Sequence, residues 1–219
     1  MKKENRVYGW TGIGLLAGFV LWTVLLGFVD VQDIGPQGSA VGFATLNGLV
    51  HGLTGVNMTL YTVTDWLGLV PIGVALVFAV IGLLQWIRRR SIVQVDADIL
   101  LLGVFYAAVI FCYILFEIVV INRRPVLIEG YLEASYPSST TMLVMCVMPT
   151  AMMQCNRRIK HKGIRRSLLL LMAVFVAFMV MGRLISGVHW ISDIIGGALL
   201  SAGLVVLYHW LVRIENLSP

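Results

Sequence analysis

Residues 167–186 read SLLLLMAVFVAFMVMGRLIS. The run is twenty residues long and holds one charge, Arg183, near its end. At about 1.5 Å per helical residue such a run spans roughly 30 Å, the thickness of a bilayer's hydrocarbon core. It is preceded by Asn156-Arg157-Arg158-Ile159-Lys160-His161-Lys162-Gly163-Ile164-Arg165-Arg166. It is followed by Gly187-Val188-His189-Trp190-Ile191-Ser192-Asp193. An apolar helix with a basic stretch on one side and a few polar residues on the other is the pattern of a membrane span.

The rest of the chain repeats that pattern. Of 219 residues, 59% are hydrophobic and 12% are charged, and mean hydropathy is +0.91. Those values exclude a disordered chain, a coiled coil and an ordinary soluble enzyme. Strands of an outer-membrane barrel alternate polar and apolar residues and score lower. The expected fold is therefore all-α, a bundle of six transmembrane helices over about 8–29, 66–87, 98–121, 139–155, 167–186 and 190–212. The chain is expected to form one membrane domain over 1–219, with the first helix and an outer segment in 1–65 and the five-helix remainder in 66–212. Within the outer segment, Val41, Phe43, Leu46, Leu49, Val50 and Leu53 recur at roughly helical spacing. They predict a short interfacial helix within 39–54.

Sorting the cations by side orients the bundle. Of 16 Lys and Arg, 13 fall on the side of the N-terminus: Lys2, Lys3, Arg6, Arg88, Arg89, Arg90, Arg157, Arg158, Lys160, Lys162, Arg165, Arg166 and Arg213. The positive-inside rule makes that side cytoplasmic, with both termini inside. The net charge of +5 is then an orientation signal and implies no nucleic acid. Arg123, Arg124 and Arg183 are left on the outer side, where topology does not explain them. Cys112, Cys146 and Cys155 have no metal or disulfide spacing and read as small buried residues. No metal or cofactor is expected.

Three outer segments carry polar chemistry: Glu117 to Pro125, Tyr136 to Thr141, and Gly182 to Asp193. His189 and Asp193 are four apart at a helix start and so share one face. A carboxylate there can hold one imidazole N–H and leave the other nitrogen as a nucleophile. Arg124 and Arg183 supply the guanidinium forks that match phosphate oxygens. Ser138 and the first amides of the fourth span add donors at a positive helix end. The set describes an anion site with a histidine nucleophile, the logic of phosphoryl transfer.

These residues resemble the type-2 phosphatidic acid phosphatase superfamily, whose pattern is Lys-x6-Arg-Pro, Pro-Ser-Gly-His and Ser-Arg-x5-His-x3-Asp. Arg124-Pro125, Pro137-Ser138 and the set Arg183, His189 and Asp193 match it. The resemblance implies a phosphohistidine on His189 oriented by Asp193, with phosphate held by Arg124, Arg183 and Ser138. It implies a lipid phosphate substrate in the bilayer, such as undecaprenyl pyrophosphate, phosphatidylglycerol phosphate or phosphatidate. The site would face the outside of a cell membrane.

Three positions depart from the pattern. Glu117 stands in place of Lys, Ser139-Thr140 in place of Gly-His, and Gly182 in place of Ser. The family's second-motif histidine is a general acid on the leaving group, a role commonly worth about 10²–10⁴-fold, and Thr140 cannot fill it. A diphosphate, whose leaving group is less basic, would suffer less. Glu117 and His51 are candidate substitute acids, and Glu117 is alternatively a partner for the outer arginines. Two readings follow: a membrane lipid phosphatase, or a catalytically silent relative that binds lipid phosphate or serves as a regulatory partner.

Overall fold

The structure is a computed structural model that describes residues 3–215. Lys2, counted among the inner cations, lies outside the described residues, as does the side chain of Lys3. The elements are helices: α1 Lys3–Leu26, α2 Ala44–Thr54, α3 Met58–Leu67, α4 Leu69–Arg89, α5 Ala97–Ile118, α6 Ser139–Arg158, α7 Lys162–Ile185 and α8 Ile191–Glu215. Among the described residues extended pairing is confined to isolated bridges, so the all-α expectation holds.

Among the described residues, five segments are long and apolar enough to cross a membrane: α1 from Asn5, α3 running on into α4, α5, α7 and α8 up to Ile214. The fourth expected span, now α6, does not reach that apolarity. The reason is its position. α6 packs against α4, α5, α7 and α8, and Thr141, Met142, Val144, Cys146, Val147, Met148, Thr150, Ala151 and Gln154 are all buried. A helix shielded by its neighbours can carry polar groups where they find partners. Thr150 Oγ1 donates to the Cys146 carbonyl at 2.8 Å, and Gln154 Nε2 donates to the Tyr208 hydroxyl at 2.8 Å. The outer helices show the opposite face: Leu170, Leu171, Val174, Phe178 and Met181 of α7 are exposed at helical spacing, the lipid-facing stripe of a membrane helix.

α1 lies along α8. Small residues let the two approach. A Cβ on Gly12 would sit 2.6 Å from Leu207 Cδ2, and one on Gly203 would sit 2.7 Å from Leu16 Cδ2. Each leucine thus fills the gap left by a glycine of the partner helix, the packing mode expected where lipid supplies no hydrophobic drive between helices. Phe19, Leu102, Phe105, Met142, Cys146 and Tyr208 join this seam into one apolar core.

The segment expected on the outer side is more structured than one interfacial helix. α2 begins at Ala44, inside the expected range, and its buried Asn47 reaches the start of α8. Asn47 Nδ2 donates to Ser192 Oγ at 2.9 Å, and the Ser192 amide donates to Asn47 Oδ1 at 3.1 Å. α3 follows, capped by Asn57, whose side chain accepts from the Leu60 amide at 2.9 Å. α3 packs on α7, and the Asn57 amide donates to the Ser186 carbonyl at 2.9 Å.

Candidate functional site: a histidine facing two buried arginines

The loop after α5 turns back on itself. Glu129 and Gly130 both take left-handed backbone, at φ 51° and 87°, which is the geometry of a tight hairpin turn. The Ile128 and Tyr131 amides and carbonyls pair across it. Further in, the Arg124 amide donates to the Glu133 carbonyl at 3.1 Å and the Ser135 amide to the Asn122 carbonyl at 2.9 Å. This hairpin delivers Arg124 and Ser135 to the same place, the loop between α7 and α8.

His189 sits in that loop, 3% exposed. Its Nδ1 lies 3.1 Å from the Ser135 carbonyl, an acceptor, so Nδ1 carries the proton of the neutral ring. Nε2 is then a bare lone pair. Arg124 Nη1 stands 3.4 Å from it and Arg183 Nη2 3.3 Å. Burial first, and then the two guanidiniums, hold His189 well below the ordinary histidine range, against the opposing pull of the Ser135 carbonyl. The imidazole is therefore neutral at pH 7, as a nucleophile must be.

The sequence assigned the imidazole N–H to Asp193. The structure assigns it to Ser135: Asp193 Oδ2 is 3.7 Å from Nδ1, too long for a hydrogen bond. Asp193 Oδ2 instead accepts from the Trp190 amide at 2.9 Å, and Oδ1 accepts from Asn122 Nδ2 at 3.2 Å. An acid in the first turn that reaches back to the amide before the helix is half of a capping box. Asp193 fixes the α7–α8 loop, and through the loop it fixes the ring.

Arg183 is 1% exposed and Arg124 8%. Each has a carboxylate at the surface: Glu133 Oε2 lies 3.0 Å from Arg124 Nε, and Asp65 Oδ1 lies 3.5 Å from Arg183 Nη1. Arg183 Nη1 also reaches Thr64 Oγ1 at 3.5 Å, and the Arg183 guanidinium stands 4.9 Å over the Tyr61 ring. Tyr61, Thr64 and Asp65 all come from α3. Gly182 admits them: a Cβ there would fall 2.7 Å from Thr64 Cγ2. The departure from Ser at this position thus has a steric cause. Arg183 Nε is buried with no acceptor.

Of the other expected residues, Ser138 starts α6, and its amide donates to the Asp193 carbonyl at 3.1 Å. Its Oγ is buried and unpartnered. Ser139, Thr140 and Glu117 line a polar cavity of about 530 Å³ together with Arg123, Arg124 and Arg183. His51 lies apart from the arginines and packs on the Trp190 ring at 5.4 Å. Among the described residues no cluster of His, Cys, Asp and Glu is arranged to hold a metal ion. Sequence reasoning missed Tyr61, Thr64, Ser135, Asn122 and Glu133.

The fold and this geometry define a bundle of apolar, membrane-length helices with a buried histidine facing two buried arginines at one end. Residues 117–216 match the model of the PAP2 superfamily. The whole chain is similar in fold to a transmembrane PAP2 type phosphatidylglycerolphosphate phosphatase from Bacillus subtilis. The TM-score is 0.60 at 16% identity, with 94% of this chain and 97% of that chain covered. No curated protein matches the chain significantly.

Proposed function

We propose that the chain is an integral membrane lipid phosphatase, a phosphoric ester or diphosphate hydrolase, with a single six-span domain. In this reading α6 is the fourth of the six spans, both ends are cytoplasmic and the site opens at the outer face. The observation that carries the proposal is the His189 Nε2 lone pair pointing between the Arg124 and Arg183 guanidiniums, at 3.4 and 3.3 Å. Two forks of that kind bind the nonbridging oxygens of a phosphoryl group and offset its growing charge. Nε2 attacks phosphorus, the bond from phosphorus to the lipid-side oxygen breaks, and its electron pair leaves on that oxygen, which takes a proton from water. Water then attacks the phosphohistidine, releases phosphate and restores the neutral ring.

A lipid is favoured by what adjoins the polar cavity. An apolar groove of about 640 Å³ runs between α4, α5 and α6 along Leu69, Ile72, Leu76, Val109, Ile110 and Leu143. Asp65, Tyr113, Ser139 and Thr140 line both spaces. A headgroup on the arginines leaves its chain in contact with that groove.

The second reading, a silent lipid-phosphate binder, is favoured by Thr140, which lines the cavity without a group able to protonate a leaving alkoxide. Phosphate release from lipid monophosphates and diphosphates in detergent separates the two, with His189→Ala beside the unmodified protein. Turnover that disappears in the variant supports the phosphatase. Absence of turnover on every substrate, with lipid phosphate still bound, rejects it for the silent binder.

A further inference from the structure

The first turn of α8 is capped from a distant part of the chain. Trp190, the residue before the helix, has no side-chain oxygen to cap it, and its ring N–H donates to the Arg123 carbonyl at 2.7 Å. One half of a capping box is present, the Trp190 amide on Asp193 Oδ2. The other half comes from α2, 145 residues earlier, where Asn47 Oδ1 accepts from the Ser192 amide. Asn47 thus does across the fold what an N-cap side chain does locally. It is fully buried, and its Nδ2 donates both to Ser192 Oγ and to the Gly42 carbonyl, the latter at 2.7 Å. Gly42 is fixed against the end of α1, because a Cβ there would strike the Leu26 carbonyl. Ser192 is held at its remaining atoms too. Trp22 Nε1 of α1 donates to its carbonyl at 3.1 Å, and Asn122 Nδ2 reaches its Oγ at 3.4 Å. The same Asn122 group donates to Asp193 Oδ1, so Asn47, Ser192, Asn122 and Asp193 form one buried network.

We infer that Asn47 is a positioning residue for His189, acting through Ser192 and the first turn of α8. The inference rests on the lipid-phosphatase reading and adds to it a residue upstream of the matched stretch 117–216. His189 adjoins Trp190, whose amide donates to Asp193 Oδ2 and whose carbonyl accepts from the Asp193 amide. The backbone of the nucleophile is therefore only as fixed as that turn. Without Asn47, the Ser192 amide and the Gly42 carbonyl lose their partners in a buried place. The turn must then shift or admit water to pair them. Arg183 comes from α7 and Arg124 from the hairpin, so both guanidiniums stay. What is lost is the line along which Nε2 meets phosphorus. A displacement of about 1 Å at a reacting group can cost about 100-fold in rate.

The test follows phosphate release in detergent micelles from phosphatidate and farnesyl diphosphate, using whichever turns over faster. Calorimetry gives the binding of inorganic phosphate and of orthovanadate. Phosphate needs only the arginines, whereas orthovanadate, a five-coordinate analogue of the phosphoryl transition state, also needs the Nε2 lone pair on its axis. Asn47→Ala should lower kcat about 10- to 100-fold with KM within about threefold. It should weaken orthovanadate about tenfold and phosphate less than about twofold. Asn47→Asp keeps the acceptor for the Ser192 amide and should stay within about threefold of the unmodified protein. Ser192→Ala, a milder break that keeps the amide, should lower kcat about threefold and decides the inference should Asn47→Ala fail to fold. An unchanged kcat, affinities for the two anions that fall together, or an Asn47→Asp as damaged as Asn47→Ala overturns the inference. If the unmodified protein releases no phosphate, the phosphatase reading fails, and the two anion affinities decide the inference by the same criteria. An unmodified protein that binds no orthovanadate overturns both.

Discussion

Restoring the family's serine at position 182 should damage the protein. The Cβ that Gly182→Ser introduces falls 2.7 Å from Thr64 Cγ2, closer than real Cβ contacts come. Thr64 cannot yield easily. It is fully buried, β-branched, and its hydroxyl is tied to the Leu60 carbonyl at 2.9 Å. Overpacking of this kind costs about 1–3 kcal/mol. Replacing a helical glycine returns roughly 0.5 kcal/mol of that through propensity. The net loss of about 1–2 kcal/mol lowers Tm by about 2–8 °C for a chain of this size. Thr64→Ser deletes the offending methyl and keeps the hydroxyl that faces Arg183. The double variant should therefore recover most of the loss, with a coupling of about 1 kcal/mol. The assay is thermal unfolding of all four proteins in one detergent. A Gly182→Ser protein as stable as the original, or one that Thr64→Ser fails to rescue, refutes the account of how α3 meets α7.

Two further outcomes are expected. Thr140→His places an imidazole on the wall that Arg124 and Arg183 share, and should raise hydrolysis of a lipid monoester about 100-fold while changing a lipid diphosphate little; an unchanged monoester rate rejects Thr140 as the site of the missing acid. His189, held neutral by burial and the two arginines, titrates near 6.5 only when the chain unfolds, so stability is full above that pH and falls as pH drops below it, by about 2 kcal/mol at pH 5. The dependence of Tm on pH between about 7 and 5 should be shallower in His189→Gln, and equal slopes would count against a buried neutral ring.

The spans were legible because hydropathy along a helix is a local property, as in residues 167–186. So was the set Arg183, His189 and Asp193, because the last turn of α7, a short loop and the first turn of α8 fix its spacing. α6 was legible as a helix, but its polar residues Thr150 and Gln154 make sense only with Tyr106, Tyr208 and Arg158 around them. The acceptor for His189 Nδ1 was not legible at all. It is a backbone carbonyl, which any residue at 135 would offer, and it arrives through a hairpin whose only local sign is Glu129-Gly130. The α3 residues escaped for another reason. Tyr61, Thr64 and Asp65 meet Arg183 across more than a hundred residues of chain, and Gly182, the residue that permits the meeting, read as a lost serine.

α3 also bears on how the chain can be divided. A fragment starting at Ala97 would contain every motif residue and the whole of 117–216. It would lack Tyr61, Thr64 and Asp65, and Arg183 would lose both the ring it stacks on and its carboxylate partner. A chimera that grafts this half onto another scaffold inherits the same defect. The sequence motifs travel with the C-terminal half, whereas the partners of Arg183 belong to the N-terminal half.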